Sequence, residues 1–259
     1  MTLIDTHAHL YDEKFDDDRI DVIARAREAG VAKIISMGDT MAASAQAVQD
    51  AEEYPALYAA VGIHPESACV LTDEMRRQLL TWAQHPKVVA IGEIGLDYYW
   101  EKDASRRALQ RDLFAAQLNL AREAGLPVCI HDREAHEDTL AILDECATPD
   151  QRIVFHCYSG DAAMAQRLAE RGWYASFAGP ITYPANSDLR DALAALPREL
   201  VLVETDAPYL TPIPWRGCPN ASYVMAHTVR FIAQLWDVTE ETACDQLRAN
   251  TEAVYGSWW

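Results

Sequence analysis

The 259-residue chain is 50% hydrophobic and 24% charged, with 22 Lys and Arg against 40 Asp and Glu, for a net charge of −18. That acid excess argues against extended binding along duplex DNA, because such affinity comes largely from Lys and Arg displacing counterions from phosphates. No run approaches the roughly 20 apolar residues of a membrane-spanning helix, residues 1–10 (MTLIDTHAHL) carry no signal pattern, and six scattered cysteines lack any CxxC pair. The expectation is a cytoplasmic protein with reduced thiols, no disulfide framework and no structural zinc site.

In chain order, short runs rich in Val, Ile and aromatics alternate with longer stretches at helical period. The reading is strand 3–10, helix 17–29, strand 32–38, helix 40–53, strand 57–64, helix 72–84, strand 88–94 and helix 104–124. It continues with strand 127–131, helix 134–146, strand 152–157, helix 161–171, strand 174–179, helix 186–196, strand 200–206 and helices 222–236 and 239–255. Thr72 is placed to accept from orphan backbone N–H groups, and Asp73 and Glu74 suit the positive end of their helix. In the long helix Leu109, Leu113, Ala116 and Leu120 form the expected core stripe, ended by Gly125 and Pro127. Eight strands, each followed by a helix, have the size and rhythm of a (β/α)8 TIM barrel, with an open doubly wound sheet as the rival. No linker or low-complexity segment divides the chain, so residues 1–259 are expected to form a single domain.

The residues with ligand chemistry fall at the C-terminal ends of the predicted strands. His7 and His9 stand two apart at the end of the first, so both imidazoles point to one face. Glu93 ends the fourth strand, His131 the fifth, His156 the sixth and Asp206 the eighth. In a parallel barrel those ends converge on the mouth where active sites are built. Four imidazoles and two carboxylates suit borderline or hard divalent cations, Mg, Mn, Zn, Fe or Co, and exceed what one catalytic ion takes from protein. The expectation is two metal ions, about 3.5 to 4 Å apart, that activate water for hydrolysis of a phosphate ester or a carbonyl compound. Read instead as core packing, the same six residues would bury imidazoles and acids without partners, which is costly.

Several segments together carry a family resemblance: DTHAHL at 5–10, VGIHP at 61–65, IGEIGLDY at 91–98, PVCIHDREA at 127–135, FHCYSG at 155–160 and ETDAPYL at 204–210. In this order they resemble the TatD family of metal-dependent deoxyribonucleases, metal-dependent TIM barrels of the amidohydrolase superfamily. The resemblance implies that His7 and His9 bind one ion with Asp206, that His131 and His156 bind the second, and that Glu93 bridges. It further implies that Asp206 is the general base, that His64 contacts substrate, and that the reaction is hydrolysis of phosphate esters, commonly from DNA 3′ ends.

Arg133, two residues beyond His131, is expected to share its face and grip a phosphate, the competing reading being a surface salt bridge with Glu134 or Glu137. Asp97 reads as an acid orienting a ligand histidine, and Tyr98, Tyr99 and Trp100 as either stacking faces for a base or loop packing. Two departures from the family pattern stand out. Residues 216–222 read RGCPNAS where the family reads close to RGKxNEP, and Glu66 stands where another histidine often follows. The expected partners are nucleic-acid ends or short oligonucleotides, with no membrane, on a monomer or small oligomer; the final Gly-Ser-Trp-Trp, ending in Trp258 and Trp259, reads either as an interface anchor or as packing on the barrel. Two other classes compete with the nuclease: an amide, lactone or aminoacyl-ester hydrolase of the same superfamily, and a metal-containing binding protein without turnover. Glu93, where many amidases of the superfamily carry a modified lysine, favours the nuclease.

Overall fold

The computed structural model describes residues 2–257, so Met1, Trp258 and Trp259 lie outside the described residues. In chain order the regular elements begin β1 (Leu3–Ala8), α1 (Arg19–Glu28), β2 (Val31–Met37), α2 (Met41–Glu53), β3 (Leu57–Val61), α3 (Asp73–Ala83), β4 (Val88–Asp97) and α4 (Ala104–Ala124). They continue β5 (Val128–Arg133), α5 (His136–Cys146), β6 (Ile153–Phe155), α6 (Ala162–Glu170), β7 (Tyr174–Phe177), α7 (Ser187–Ala195), β8 (Val201–Val203), α8 (Met225–Trp236) and α9 (Glu240–Tyr255). The eight strands follow one another in sequence order through the sheet, with a helix after every strand, which is the (β/α)8 barrel fold. Among the described residues no helix is long and apolar enough to cross a membrane.

The chain divides into two compact units. The first comprises the segments before Met37 and after Phe155. In it β1 runs parallel to β2, with Leu3 opposite Val31 and Ala8 opposite Ser36, and β7 parallel to β8, with Ala175 opposite Val201. Beyond β8 the chain returns to β1: Asp206 N–H donates to the His7 carbonyl (2.9 Å) and His9 N–H to the Ala207 carbonyl (2.8 Å). A buried acid fixes this junction. The Asp5 carboxylate accepts from Thr205 N–H (2.9 Å), Thr205 Oγ1 (2.6 Å), Ser222 Oγ (2.7 Å) and His7 N–H (3.3 Å). Complete burial pushes its pKa up to about 6 against the pull of these four donors. From α9, Asn250 donates to the carbonyls of Arg198 and Val201, both at 2.7 Å, and so holds the start of β8.

The second unit spans residues 37–155. Its strands are parallel neighbours, β3 with β4, β4 with β5 and β5 with β6, and β3 and β4 are buried throughout, as expected of strands covered on both faces. The helices start where their sequences indicate: Thr40 caps α2, Thr72 caps α3 by accepting from Met75 N–H, and Asp103 caps α4. Gly125, at φ 69°, ends α4 in the left-handed conformation.

The expected stripe of α4 is displaced by one position: Leu113 and Leu120 are buried, but Leu109 and Ala116 are only partly so, and Gln110, Phe114, Gln117, Leu118 and Ala121 complete the buried face. The two glutamines are there because the strand ends need partners. Gln117 accepts from Ile63 N–H (2.8 Å) and donates to the Ile63 carbonyl (3.0 Å), while Gln110 accepts from Asp97 N–H (3.0 Å) and donates to the Pro65 carbonyl (3.1 Å). Together they clasp the residues on either side of His64. Leucine at position 117 would fill the volume but leave the N–H and the carbonyl of Ile63 without partners. Gln117→Leu is expected to lower unfolding stability by about 2 to 4 kcal/mol, measured by urea denaturation, with the midpoint shifted at unchanged slope.

Candidate functional site

In the first unit, β1 carries His7 and the residue after its end, His9, and the turn beyond β8 carries Asp206. The two-residue spacing does bring the rings to one face: His7 Nε2 and His9 Nε2 lie 3.2 Å apart. Asp206 Oδ1 is 3.6 Å from His7 Nε2 and 3.4 Å from His9 Nε2, so three ligand-type atoms converge. His156, immediately after β6, stacks its ring on His7 with centroids 3.9 Å apart. Ligand atoms of His7, His156 and Asp206 all fall within 4.8 Å of one another. Burial opposes ionisation of Asp206, but the hydrogen bond from His9 and the imidazoles of His7 and His156 outweigh it and hold the carboxyl below its ordinary range. Its backbone lies at φ 55°, a left-handed conformation that Asp tolerates better than most residues.

In the second unit the ligand atoms of His64, Glu93 and His131 also lie within 4.8 Å of one another. Glu93 is buried; its Oε1 is 2.7 Å from His131 Nδ1 and 3.4 Å from His64 Nε2. The other nitrogen of His131, Nε2, lies 3.0 Å from Asp97 Oδ2. Burial works against charge on Asp97, yet the bond to His131, the Trp100 N–H and the nearby Arg133 hold its carboxyl below the usual range. Asp97 thus fixes the ring of His131, as its place in the sequence suggests. His64 Nδ1 accepts from Glu66 N–H at 3.2 Å, which leaves Nε2 as the nitrogen that carries the proton or a ligand bond. Glu66 takes part in this arrangement through its backbone, while its side chain is exposed.

Two strands run on past the points where sequence ended them. Glu93 and His131 lie inside β4 and β5, which continue to Asp97 and Arg133. Gly95 makes this possible: at φ 143°, it sits so close to β5 that a Cβ would lie 2.0 Å from the His131 carbonyl oxygen. Arg133 is exposed and forms neither expected salt bridge; its guanidinium stacks on Tyr99, 4.0 Å from the ring centroid, and Glu134 pairs with Lys102 at 3.5 Å. Tyr98 parts company with its neighbours, buried and donating to Asp138 at 2.6 Å. The atypical RGCPNAS segment supplies Ser222 to Asp5 and the buried Asn220, which donates to the Thr205 carbonyl at 2.7 Å.

Sequence reasoning passed over Glu204. Its buried carboxylate accepts from Cys157 N–H (2.7 Å) and lies 3.3 Å from His156 Nδ1, while Oε2 is buried without a hydrogen-bond partner. Its position two residues before Asp206 was the available signal. Imidazoles paired with carboxylates, backed by further buried acids on their far nitrogens, form a donor set that suits a divalent cation. Replacing Asp97 by Asn removes the negative charge behind His131 but keeps a hydrogen-bonding group. Asp97→Asn is therefore expected to weaken divalent-metal affinity about 10- to 100-fold in a chelator competition, with an unchanged circular dichroism spectrum.

Comparison with known proteins places the chain in a family. The model of the family described as "TatD related DNase" matches residues 4–256. A Mycobacterium tuberculosis protein named uncharacterized metal-dependent hydrolase TatD is 37% identical over 262 residues, covering 99% of each chain. The 3′-5′ ssDNA/RNA exonuclease TatD of Cronobacter sakazakii is 36% identical over 211 residues, 81% of this chain and 80% of that one. Among solved structures, YJJV, a TatD homologue from Escherichia coli K12, superposes with a TM-score of 0.91 at 33% identity, covering 99% of this chain and 98% of the other. With its motifs, its fold and a match along nearly its whole length in agreement, the chain belongs to the TatD family of metal-dependent hydrolases.

Proposed function

We propose that the chain is a metal-dependent phosphodiesterase that removes nucleotides from the 3′ ends of single-stranded nucleic acid, DNA foremost. The observation that carries this reading is the pair of imidazole–carboxylate clusters, each compact enough to hold a divalent cation, in a chain of this family. In the proposed enzyme residues 1–259 act as one domain and both clusters serve one reaction. His7, His9 and Asp206 would hold one ion, His131 and His156 the second, and Glu93 would be shared. Bound there, divalent ions, whether Mg, Mn, Zn, Fe or Co, supply an activated water and neutralise charge on the phosphate.

The chain's own groups do the rest. Asp206, held ionised among three imidazoles, accepts the proton of the attacking water. Arg133 keeps its in-plane N–H donors available while its face rests on Tyr99, and grips a phosphate oxygen pair. His64, with Nδ1 accepting from Glu66 N–H and Nε2 facing Glu93 at 3.4 Å, stands beside the second cluster and contacts the substrate there. A net charge of −18 favours short single-stranded ends over long duplexes, because only local positive groups offset the repulsion. The exonuclease name of the Cronobacter relative supports the same polarity and substrate. A cytoplasmic setting accords with the six cysteines scattered without a disulfide pattern.

The test follows end-labelled single-stranded DNA, free or blocked at its 3′ end, with metal-stripped protein and added Mg²⁺ or Mn²⁺. Stepwise shortening from the free 3′ end alone is expected, and Asp206→Asn is expected to lower kcat by about 10²- to 10⁴-fold. Intact DNA alongside cleavage of a carboxylic ester or amide panel would transfer the reading to the carbonyl branch of the superfamily. Metal analysis provides a second check. His7→Ala and His131→Ala are each expected to lose one of two ions per chain, and two ions retained in both would overturn the assignment.

A further inference from the structure

The end of β4 presents an aromatic surface that the proposed chemistry uses only as a rest for Arg133. Tyr99 and Trp100 are 40% and 62% exposed, and their rings meet edge to face with centroids 4.7 Å apart. Leaving an indole in water forgoes the gain of burying it, and the adjoining Tyr98, in the same run of aromatics, is buried. Cations surround the pair on an otherwise acidic chain. The Arg133 guanidinium lies 4.0 Å from the Tyr99 centroid and 5.7 Å from that of Trp100, and Lys102 Nζ lies 5.7 Å from Tyr99. Lys102 is also tied to the Tyr98 carbonyl (2.6 Å) and to Glu134 (3.5 Å), so Arg133 is the cation better placed to reach a ligand.

The surface is also anchored to the second cluster. Trp100 N–H donates to Asp97 Oδ1 at 2.8 Å, and the other oxygen of that carboxylate holds His131 at 3.0 Å. One rigid acid therefore sets both the ligand imidazole and the loop that carries the rings. An exposed aromatic face beside a phosphate-gripping guanidinium matches a nucleotide of a single strand, whose base face is uncovered, rather than a duplex, whose base faces are stacked. We propose that Trp100, supported by Tyr99, is a stacking platform for a nucleobase of the single strand whose phosphate Arg133 holds. The platform rests on the phosphodiesterase reading above and adds a base-binding subsite to it. Stacking is tolerant of base identity, so the subsite accepts DNA and RNA bases alike.

The test measures fluorescence anisotropy of a labelled thymidine hexanucleotide, and of the same backbone with abasic sites, on the Asp206→Asn protein with added Mg²⁺. The hexanucleotide is expected to bind at least tenfold tighter than the abasic strand. Trp100→Ala on that background is expected to abolish the difference, and Trp100→Phe to restore most of it. Equal affinity for the two strands before substitution, or tight base-dependent binding that survives Trp100→Ala, overturns the platform. If the wild-type protein still shortens DNA from its 3′ end while bases make no difference to binding, the platform alone fails. If neither strand binds and no DNA is cut, the platform falls together with the phosphodiesterase reading.

Discussion

Ionisable side chains buried near strand ends need polar partners, and that requirement organises this protein. An imidazole has two ring nitrogens, and leaving either unpaired away from water costs free energy. His131 meets the demand by lying between Glu93 and Asp97, and His156 by facing Glu204. His7 and His9 meet it around the Asp206 carboxylate. Each pairing constrains the backbone beneath it. The pairing of β4 with β5 shifts register between Ile91 and Ile94, the stretch that holds Glu93, and resumes with Ile94 opposite Ile130 and Gly95 opposite His131, where Gly95 allows the close approach.

A second layer of buried polar groups holds those backbones in place. Asp5 gathers four donors from β1, the turn after β8 and the segment before α8, so the strand that carries His7 and the turn that carries Asp206 are tied through one carboxylate. Gln110 and Gln117 do the same for the segment around His64, with each amide using both its donor and its acceptor. Such clasps cost little where every atom is satisfied and fix geometry more sharply than apolar packing, which tolerates small slides. Metal ligands and catalytic groups need that rigidity, because their chemistry is sensitive to displacements of less than an ångström.

Charge is distributed unevenly over the molecule. The chain as a whole is strongly acidic, yet the groups around the end of β5 are cationic and aromatic: Arg133 on Tyr99, with Lys102 nearby. A long polyanion meets repulsion along most of its length, whereas a strand end needs attraction only over a few nucleotides. The departure of residues 216–222 from the family pattern leaves these features untouched. Its Ser222 and Asn220 serve the Asp5 junction.

The alternation of strands and helices, the cap at Thr72 and the candidate residues that the structure brings together in clusters were legible in the sequence. Each depends on local rules: hydrophobic period, side-chain competition for N–H groups near a helix start, and the two-residue repeat that puts His7 and His9 on one face. The supporting network was not. Asp5 and Thr205 stand 200 positions apart and Gln117 and Ile63 stand 54 apart, so no window of sequence contains both members of either pair. A glutamine or an aspartate reads locally as a surface residue, and only the tertiary structure brings up the backbone groups that make its burial favourable. The same reason separates Tyr98 from Tyr99 and Trp100: three adjacent aromatics look alike in sequence, and the path of β4 alone turns one inward to Asp138 and leaves two facing solvent.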